Sequence, residues 1–242
     1  MTPAVRRLLW PSLMTAAMLI VLLGLGTWQV KRLFWKEALL AQIDHAETAT
    51  PIPLGQTPEP FAKVSATGTF LPDEAVLYGA IVRTIPTGPA MGARIIVPMR
   101  EANGDMILVD RGWVPLSRPG PMDQPEGVVT VAGYVRFGDS VHWFSAKDDL
   151  PARHFYTLDP KAIGNAAGQP NVRDFVLVVL TPGGSAATDD SDSDAVVAHW
   201  PDPARHLPRP PNNHLSYAIT WYGLAVALLA IFVVWAKKGS RA

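Results

Sequence analysis

Cysteine is absent from the 242-residue chain, and charged side chains are scarce at 17% of the residues. The lack of cysteine excludes disulfide frameworks, thiolate nucleophiles and thiolate metal sites, although it does not identify the compartment. The formal net charge is zero, with 21 basic and 21 acidic residues. Because nothing in this balance indicates bulk attraction to nucleic acid, we expect no nucleic-acid partner.

Sequence signatures of catalysis are also missing. Ser117 and Ser145 lack the surroundings of a nucleophile elbow, and the chain has neither a phosphate-cradling glycine loop nor a paired-carboxylate motif. Most of the histidines show no metal-ligand spacing and are interpreted as solvated side chains, namely His45, His142, His154, His199 and His206. We therefore predict that the protein is not an enzyme.

Apolar residues are abundant, and at 48% of the chain they indicate a membrane protein with a soluble part. Two apolar runs, from Leu8 to Val30 and from Leu215 to Trp235, are each long enough to cross a hydrocarbon core of about 30 Å. Tryptophans lie near both ends of the first run, as interfacial aromatic residues do. The sequence therefore predicts transmembrane helices over residues 8–30 and 213–235.

A cleaved signal peptide is the alternative interpretation of the first run. The hydrophobic part of a signal peptide spans only about 7–15 residues and ends at small residues. This run is longer, and it ends in Trp28-Gln29 followed by Lys31-Arg32. We therefore expect the segment to be retained as a membrane anchor.

The basic residues near the two spans do not decide the orientation. Two spans place both termini on one side, and equal numbers of basic residues lie on the terminal side and on the loop side. The short basic tails favour cytoplasmic termini weakly, and a long loop is translocated largely regardless of its charge.

The first helix is predicted to continue beyond the membrane as a helical extension over residues 31–47. Helical spacing is maintained by the apolar residues Leu33, Phe34, Ala38, Leu39 and Ile43. The segment that follows cannot be helical, because it contains Pro51, Pro53, Pro58 and Pro60.

A β-rich extramembrane domain is predicted over residues 61–182. Segments rich in Val and Ile predict strands near Lys63–Phe70, Ala75–Thr84, Ala93–Met99, Met106–Val114, Val128–Phe137 and Phe175–Leu180. Asn103-Gly104 predicts a hairpin turn, and Asp159-Pro160 predicts the start of a short helix that ends at about Ala167. Mainly antiparallel strands with a helix predict an α+β domain built as an open barrel or a curled sheet.

Residues 183–211 are predicted to form a flexible, acidic and proline-rich lead-in to the second span. Gly183–Asp194 is acidic and poor in apolar residues, which is typical of an exposed insertion. His199–Pro211 contains five prolines and is expected to be extended.

Four segments of the chain, taken in order, resemble a known family. They are Gly26–Lys36, similar to G-x-W-Q-x-x-R-x-x-W-K; Val109–Pro115, similar to V-x-R-G-W-V-P; Gly133–Arg136, similar to a weaker G-x-x-R; and Asn212–Trp221, similar to N-N-H-L-x-Y-A-x-T-W. In order and spacing they resemble the Surf-one (surfeit locus) family of cytochrome c oxidase assembly proteins, over nearly the whole chain. Phe155-Tyr156 stands where the family often has tryptophan, and Lys147-Asp148-Asp149 replaces its usual turn.

The resemblance implies a multi-pass protein of the bacterial inner membrane, with a periplasmic central domain and both termini cytoplasmic. It implies a non-enzymatic role in maturing the haem-containing catalytic subunit of cytochrome c oxidase. The implied partners are that subunit, the haem a synthesis machinery and the lipid bilayer. Haem a is the implied, transiently bound cofactor, and the resemblance carries the role of iron ligand to His214.

His214 lies at the start of the second span, where an ionisable side chain points to function. A neutral imidazole is a common axial ligand of haem iron. In a helix that begins near Asn212, one face carries His214, Tyr217, Ala218 and Trp221, and a porphyrin edge fits beside it. The alternative interpretation is an interfacial histidine that hydrogen-bonds headgroups or a neighbouring loop.

Trp28, Gln29 and Arg32 lie where the first span leaves the membrane, and Trp28, Arg32 and Trp35 share a helical stripe. One interpretation pairs Arg32 with a haem propionate. The favoured alternative is a tryptophan of the interfacial belt beside a snorkelling arginine. The candidate haem-binding set is therefore His214, Tyr217, Trp221, Trp28 and Arg32.

A second set of residues belongs to the motifs as structural positions: Gln29, Arg111, Gly112, Trp113 and Asn213. Gly112 inside a strand indicates a bulge or a close backbone approach. Arg111 could reach a ligand or the oxidase subunit, but the favoured interpretation is an ion pair or hydrogen bonds to the proline-rich lead-in.

Small residues on the two spans are expected to let the helices approach closely: Gly24, Gly26, Thr27, Ala218, Ala225 and Ala227. The hypothesis that follows is a factor that holds haem a, or the subunit receiving it, between its helices. Two alternatives stay open, a chaperone that grips the subunit without touching haem and a membrane-anchored periplasmic enzyme.

Overall fold

The computed structural model describes residues 3–86, 88–117, 122–140, 143, 145–181 and 199–239. The chain divides into two compact units. The first unit contains Met1–Gln42 and Arg209–Ala242, and the second contains Ile43–Pro208.

Helix α1 spans Pro3–Thr48 and is 46 residues long. Its apolar first half continues into the amphipathic segment without a break, as the spacing of Leu33, Leu39 and Ile43 predicts. The helix ends shortly before Pro51, close to the predicted end at Glu47. Ile43 is fully buried and belongs to the second unit, so the last turn of α1 is part of that unit's core.

Helix α3 spans His214–Gly239, and Lys237 and Lys238 lie in its last turn, where cations favour the helix dipole. By length and composition, Leu8–Thr48 and His214–Lys238 are the two described helices that are able to cross a membrane. Most of the apolar side chains along both are exposed, as lipid-facing positions require.

In the chain between α1 and α3, the described residues form eight strands and a short helix, α2, which spans Pro160–Ala166. The strands are β1 (Ile52–Pro53), β2 (Lys63–Phe70), β3 (Val76–Ile85), β4 (Gly88–Glu101), β5 (Met106–Pro115), β6 (Val128–Phe137), β7 (His154–Phe155) and β8 (Val172–Val179). The two-residue strands β1 and β7 were not predicted from the sequence. Three pairs are parallel, β1–β2, β3–β7 and β5–β8, and the rest are antiparallel.

The sheet is a closed barrel, so the prediction of an open barrel or curled sheet was wrong on this point. Strands follow the order β2–β6–β8–β5–β4, and β4 pairs back onto β2. Closure depends on the length of β4, which has 14 residues instead of the predicted seven. Its extra C-terminal residues reach β2, where Met99–Glu101 pairs with Gly68–Phe70. A strand this long pairs with β3 at one end and closes the barrel at the other.

Apolar side chains fill the inside of the barrel and also cover part of its outside. The inward-facing core is formed by alternate residues of each strand, as in Ile107 and Val109 of β5 or Phe175 and Leu177 of β8. On the outer face, α2 packs over a second cluster that includes Leu108 and Val176. Asp159 caps α2 as predicted, because its carboxylate accepts hydrogen bonds from the amides of Lys161 and Ala162.

The predicted turn at Asn103-Gly104 connects β4 to β5. Gly104 has a φ of +89°, which supplies the left-handed residue that the hairpin needs. The Asn103 side chain accepts a hydrogen bond from the amide of Asp105 at 2.9 Å.

Part of the proline-rich lead-in is an ordered strap, Trp200–Ala204. It pairs with three points of the barrel domain through Trp200 to Met122, Asp202 to Trp113 and Ala204 to Leu180. The acidic stretch Gly183–Asp194, predicted to be flexible, lies outside the described residues.

The last turn of α1 and the residues after the strap meet on the second unit. The Glu47 carboxylate accepts a hydrogen bond from the Leu207 amide at 2.9 Å, and the Glu47 carbonyl accepts one from Lys63 Nζ at 2.6 Å. Leu207 is fully buried. One glutamate therefore fixes both connections to the barrel domain.

Candidate functional site

His214 is the first residue of α3, and its side chain is half-buried against α1. Its Nδ1 lies 2.7 Å from Oε1 of Gln29. Gln29 is only 8% exposed, although it lies in an apolar helix. Burying an amide is costly unless it is hydrogen-bonded, so this bond accounts for the position of Gln29.

The hydrogen bond also determines which ring nitrogen carries the proton in the neutral imidazole. An amide oxygen can only accept, so Nδ1 of His214 is the donor. The lone pair then lies on Nε2, the nitrogen that can bind a metal ion. In metalloproteins, a hydrogen bond on one ring nitrogen similarly orients the other toward the metal.

Small residues allow α1 and α3 to approach beside this pair. Gly26, Ala218 and Ala225 are buried, and a Cβ on Gly26 would lie 2.7 Å from the ring of Tyr222. The Tyr222 hydroxyl is 3.2 Å from the Thr27 hydroxyl. The contact is therefore centred on Gly26 and Tyr222.

Two of the predicted small residues are not part of this contact. A Cβ on Gly24 would meet nothing within 4 Å, and Ala227 is exposed. Gly24 lies two residues before Gly26 and Ala227 two after Ala225, so both point to other sides of their helices.

The predicted aromatic face of α3 is divided by the helix contact. Ala218 is 3% exposed, whereas Tyr217 is 55% exposed, and His214 and Trp221 are intermediate. The face thus has a buried edge against α1 and an open edge at Tyr217. A flat ligand next to His214 would contact Tyr217 and Trp221 from the open edge.

Trp28 and Arg32 do not join the hydrogen bond between His214 and Gln29. Trp28 is 56% exposed, and Arg32 is exposed with its guanidinium stacked 3.9 Å above the ring of Trp35. The stripe of Trp28, Arg32 and Trp35 faces outward, where belt aromatics and snorkelling cations belong.

Polar groups next to His214 provide one further acceptor. Asn213 is exposed, and its carbonyl accepts the first helical hydrogen bond from the Tyr217 amide at 3.3 Å. Oδ1 of Asn212 is buried without a hydrogen-bond partner among the described residues. An unpaired buried acceptor is costly, and it lies two residues from the imidazole.

Arg111, Gly112 and Trp113 lie in the other unit, where Gly112 and Trp113 hold the strap. Trp113 exchanges backbone hydrogen bonds of 2.8 and 2.9 Å with Asp202 and stacks edge-on against Trp200 at 5.4 Å. Gly112 has a φ of +127° and sits in a bulge that opposes Ile95. A Cβ there would overlap the carbonyl oxygen of Asp202, so only glycine fits.

For Arg111 the sequence interpretation favoured an ion pair or hydrogen bonds to the proline-rich lead-in, and the hydrogen bond that the structure shows goes to the loop at Asp123 instead. Its guanidinium donates to the carbonyl of Asp123 at 2.7 Å and lies 5.1 Å above the ring of Phe70. Burial lowers the pKa of Arg111, and the nearby Asp123 carboxylate offsets part of that effect.

Within the described ranges, no three His, Asp or Glu side chains come together as a metal site. A single imidazole with a defined tautomer is nevertheless suited to be one axial ligand of a haem iron, whose other ligands come from the porphyrin. Sequence reasoning named His214 and Gln29 separately but missed their hydrogen bond and the role of Tyr222. The only local signal was the helical spacing of Leu22, Gly26 and Gln29.

Comparison with known proteins agrees with the motif resemblance over most of the chain. The model of the SURF1 family matches residues 16–226. A SURF1-like protein of Monosiga brevicollis is 31% identical over 92% of this chain and 86% of its own length. A SURF1-like protein of Rickettsia felis is 28% identical over 90% and 93% of the two chains. Surfeit locus protein 1 of Homo sapiens is 28% identical over 90% and 74%.

Proposed function

Because the chain belongs to the SURF1 family, we propose that it is an assembly factor for haem-a-containing cytochrome c oxidase. The proposal is supported by the family match and by the four motifs that it spans. The partners are the catalytic subunit of the oxidase and the machinery that supplies haem a. The protein binds and hands over its cargo without catalysing a reaction.

Haem a is the cargo, and His214 is its iron ligand. The observation that carries this proposal is the 2.7 Å hydrogen bond from His214 Nδ1 to the buried Gln29. It holds the imidazole at the open edge of a helix pair with Nε2 available. Tyr217 and Trp221 provide flat surfaces on the same helix, and the orphaned Oδ1 of Asn212 provides an acceptor for a polar group of the cargo.

Arg32 and Trp28 have a smaller part in this proposal. The guanidinium of Arg32 already stacks on Trp35, but this contact leaves its planar donors available to a propionate. Trp28 lies on the same exposed stripe and marks the membrane interface.

The two apolar helices and the family resemblance support a further part of the proposal, the membrane arrangement. Both helices cross the bacterial inner membrane, the barrel domain is periplasmic and both termini are cytoplasmic. A site at the start of α3 then lies at the periplasmic interface, where an amphipathic porphyrin is soluble. The lipid bilayer itself is therefore a partner.

A chaperone that grips the oxidase subunit without touching haem is the second candidate. It is favoured by a row of apolar side chains on the barrel domain. Val82 of β3 pairs with Met91 of β4, and the amide of Leu116 donates a hydrogen bond to the carbonyl of Met91. Val82, Met91 and Leu116 are 58%, 50% and 46% exposed. Exposed apolar patches on soluble domains commonly bind other proteins.

The two candidates differ in what the absorption spectrum of the purified protein should show. The full chain would be purified from cells that make haem a, together with His214→Ala and with His45→Ala, an exposed histidine of α1 that serves as the matched control. We expect a haem a spectrum near one equivalent in the wild type and His45→Ala, and its loss in His214→Ala.

Gln29→Leu tests the hydrogen bond itself. Loss of a second partner of a ligating histidine weakens metal binding by about 10- to 100-fold. We therefore expect a weakened and spectrally shifted complex rather than none. Wild-type protein without haem, with oxidase maturation intact in His214→Ala cells, would contradict the haem proposal and support the chaperone.

A further inference from the structure

One end of the barrel contains a pocket of about 360 Å³ next to the strap. It lies where β6 begins and where β8 and β5 end. The apolar walls come from strand residues and from prolines, namely Phe70, Val129, Val131, Val179, Pro125, Pro201 and Pro203. Its polar side chains are Arg111, Asp123 and Thr130. The volume lies at the lower end of the range of roughly 300–1,000 Å³ for small-molecule sites.

The walls are the last inward-facing layer of the barrel. Val129 and Val131 continue the inward row of Val135 on β6, and Val179 continues that of Leu177 on β8. Arg111 occupies the same position on β5, two residues after Val109. Arg111 lies in the bulge opposite Ile95, which interrupts the alternation and leaves a cation among the apolar side chains of this layer.

The guanidinium of Arg111 is incompletely used within the described part of the chain. It has five N–H donors, and its hydrogen bond to the Asp123 carbonyl is the one that the structure shows. The Asp123 carboxylate is 60% exposed and lies 3.7 Å from His199. Burial lowers the pKa of Arg111, and the Asp123 carboxylate offsets only part of that effect.

We propose that this barrel-mouth pocket binds a small amphipathic monocarboxylate, with the carboxylate on Arg111 and the apolar body against the valines and prolines. Arginine presents paired donors that match a carboxylate. The apolar walls and the small volume restrict the body of the ligand to a short chain or a single ring. The site is independent of His214 and of the proposed oxidase function.

Asp123 makes the site selective for a single negative charge. One guanidinium beside one carboxylate compensates a monoanion better than a dianion. A phosphate monoester of the same shape should therefore bind more weakly than the carboxylate. This preference would not arise if Arg111 served only to hold the loop at Asp123.

The probe is 4-phenylbutyrate, which is soluble and has an apolar ring and one carboxylate. Binding to the full chain in detergent micelles would be followed by ligand-detected NMR, with 4-phenylbutanol as the uncharged analogue. We expect saturable binding of one equivalent, and binding at least about tenfold weaker for the alcohol, since charge-assisted hydrogen bonds are lost.

Three variants test the charge and the shape of the pocket separately. Arg111→Gln should weaken binding of 4-phenylbutyrate by at least about tenfold, whereas Arg100→Gln, an exposed arginine of β4, should leave it unchanged. Val129→Phe fills the pocket, keeps Arg111 and should abolish saturable binding. All the proteins are measured in the same micelles, so partition of the ligand into detergent is the same for each and does not affect their comparison.

Asp123→Asn should change the affinity for 4-phenylbutyrate in the opposite direction. The variant keeps the backbone carbonyl that Arg111 uses and removes the competing charge, so binding should tighten by roughly two- to fivefold. Absence of saturable binding by the folded wild type would overturn the proposal. Equal binding by Arg111→Gln or by Val129→Phe would overturn it as well.

Discussion

The helix pair and the barrel domain bury polar groups in different ways. In the described helices, Gln29 is the buried polar side chain, and its partner in a hydrogen bond is His214. In the barrel domain the buried carboxylates are paired with arginines. Asp110 accepts from Arg94 Nε, and Asp202 forms an ion pair of 3.0 Å with Arg83.

The ion pairs of the barrel domain have structural roles. Asp110 also accepts the amide of Gly112 at 3.0 Å, so one carboxylate fixes both Arg94 and the bulge. Burial by itself lowers the pKa of Arg94, but the charge and the hydrogen bond of Asp110, together with Tyr134 and Tyr78, outweigh it, and the net shift is upward. Removing one member of such a pair leaves an uncompensated buried charge.

His214, by contrast, keeps a ring nitrogen for another partner. Its Nε2 forms no hydrogen bond within the part of the chain that the structure describes, whereas Nδ1 is fixed by Gln29. Buried carboxylates that are fully engaged with the fold, such as Asp110, therefore mark structure in this protein, and a histidine with one ring nitrogen left over marks the candidate site.

Gly112→Ala, in the barrel domain, should have the largest effect on the free energy of unfolding. A Cβ at this position would overlap the Asp202 carbonyl, and the φ of +127° is unfavourable for alanine. We expect a loss of at least about 3 kcal/mol in the free energy of unfolding, or no folded protein. Urea unfolding of the full chain, followed by tryptophan fluorescence, measures it.

Gly104→Ala is the matched control for the backbone conformation. Gly104 also has a positive φ, +89°, but a Cβ there would meet nothing within 4 Å. We expect a cost of about 1–2 kcal/mol from strain alone. Equal costs for the two variants would show that the strap does not press against Gly112.

Tyr134→Phe tests how strongly the barrel domain excludes charge. Burial raises the pKa of Tyr134 to about 12, and the Arg94 guanidinium opposes the rise. An unfolded tyrosine titrates near 10. Between these values the unfolded chain loses its proton while the folded protein keeps it, so stability is complete below about pH 10 and falls toward pH 12.

The expected fall is about 1–3 kcal/mol, given about 1.4 kcal/mol per pKa unit. This loss of stability between pH 9 and pH 11.5, measured by urea unfolding, should be smaller by that amount in Tyr134→Phe. Tyr156 is 39% exposed, and Tyr156→Phe should keep the fall. Identical pH profiles for wild type and Tyr134→Phe would contradict a buried, protonated Tyr134.

The sequence predicted the helices and six strands because their signals are local. Periodicity, turn residues and the cap at Asp159 depend on neighbours within a few residues. Closure of the barrel could not be predicted, because it depends on Met99–Glu101 finding Gly68–Phe70. The segment Gly88–Gly92 was also missed as strand, since glycine and proline are poor strand formers.

The candidate site was predictable only in part. The motif indicated His214 as a candidate iron ligand, but its partner Gln29 is 185 positions away. Local spacing does not determine which faces of two helices meet, so Gly24 and Ala227 were expected at a contact that Gly26 and Ala225 form. Tyr222 was missed for the same reason.

Gly26→Ala, in the helix pair, should have the smallest effect on stability. Its Cβ would lie 2.7 Å from the Tyr222 ring, a side chain that can move, so we expect a net loss of only about 1 kcal/mol. Gly24→Ala, which meets nothing, measures the helix-propensity gain of up to about 1 kcal/mol by itself. Unfolding in a sodium dodecyl sulfate titration measures the stability of both variants. Combined with Tyr222→Ala, Gly26→Ala should become as favourable as Gly24→Ala, whereas an unchanged cost would place the contact elsewhere.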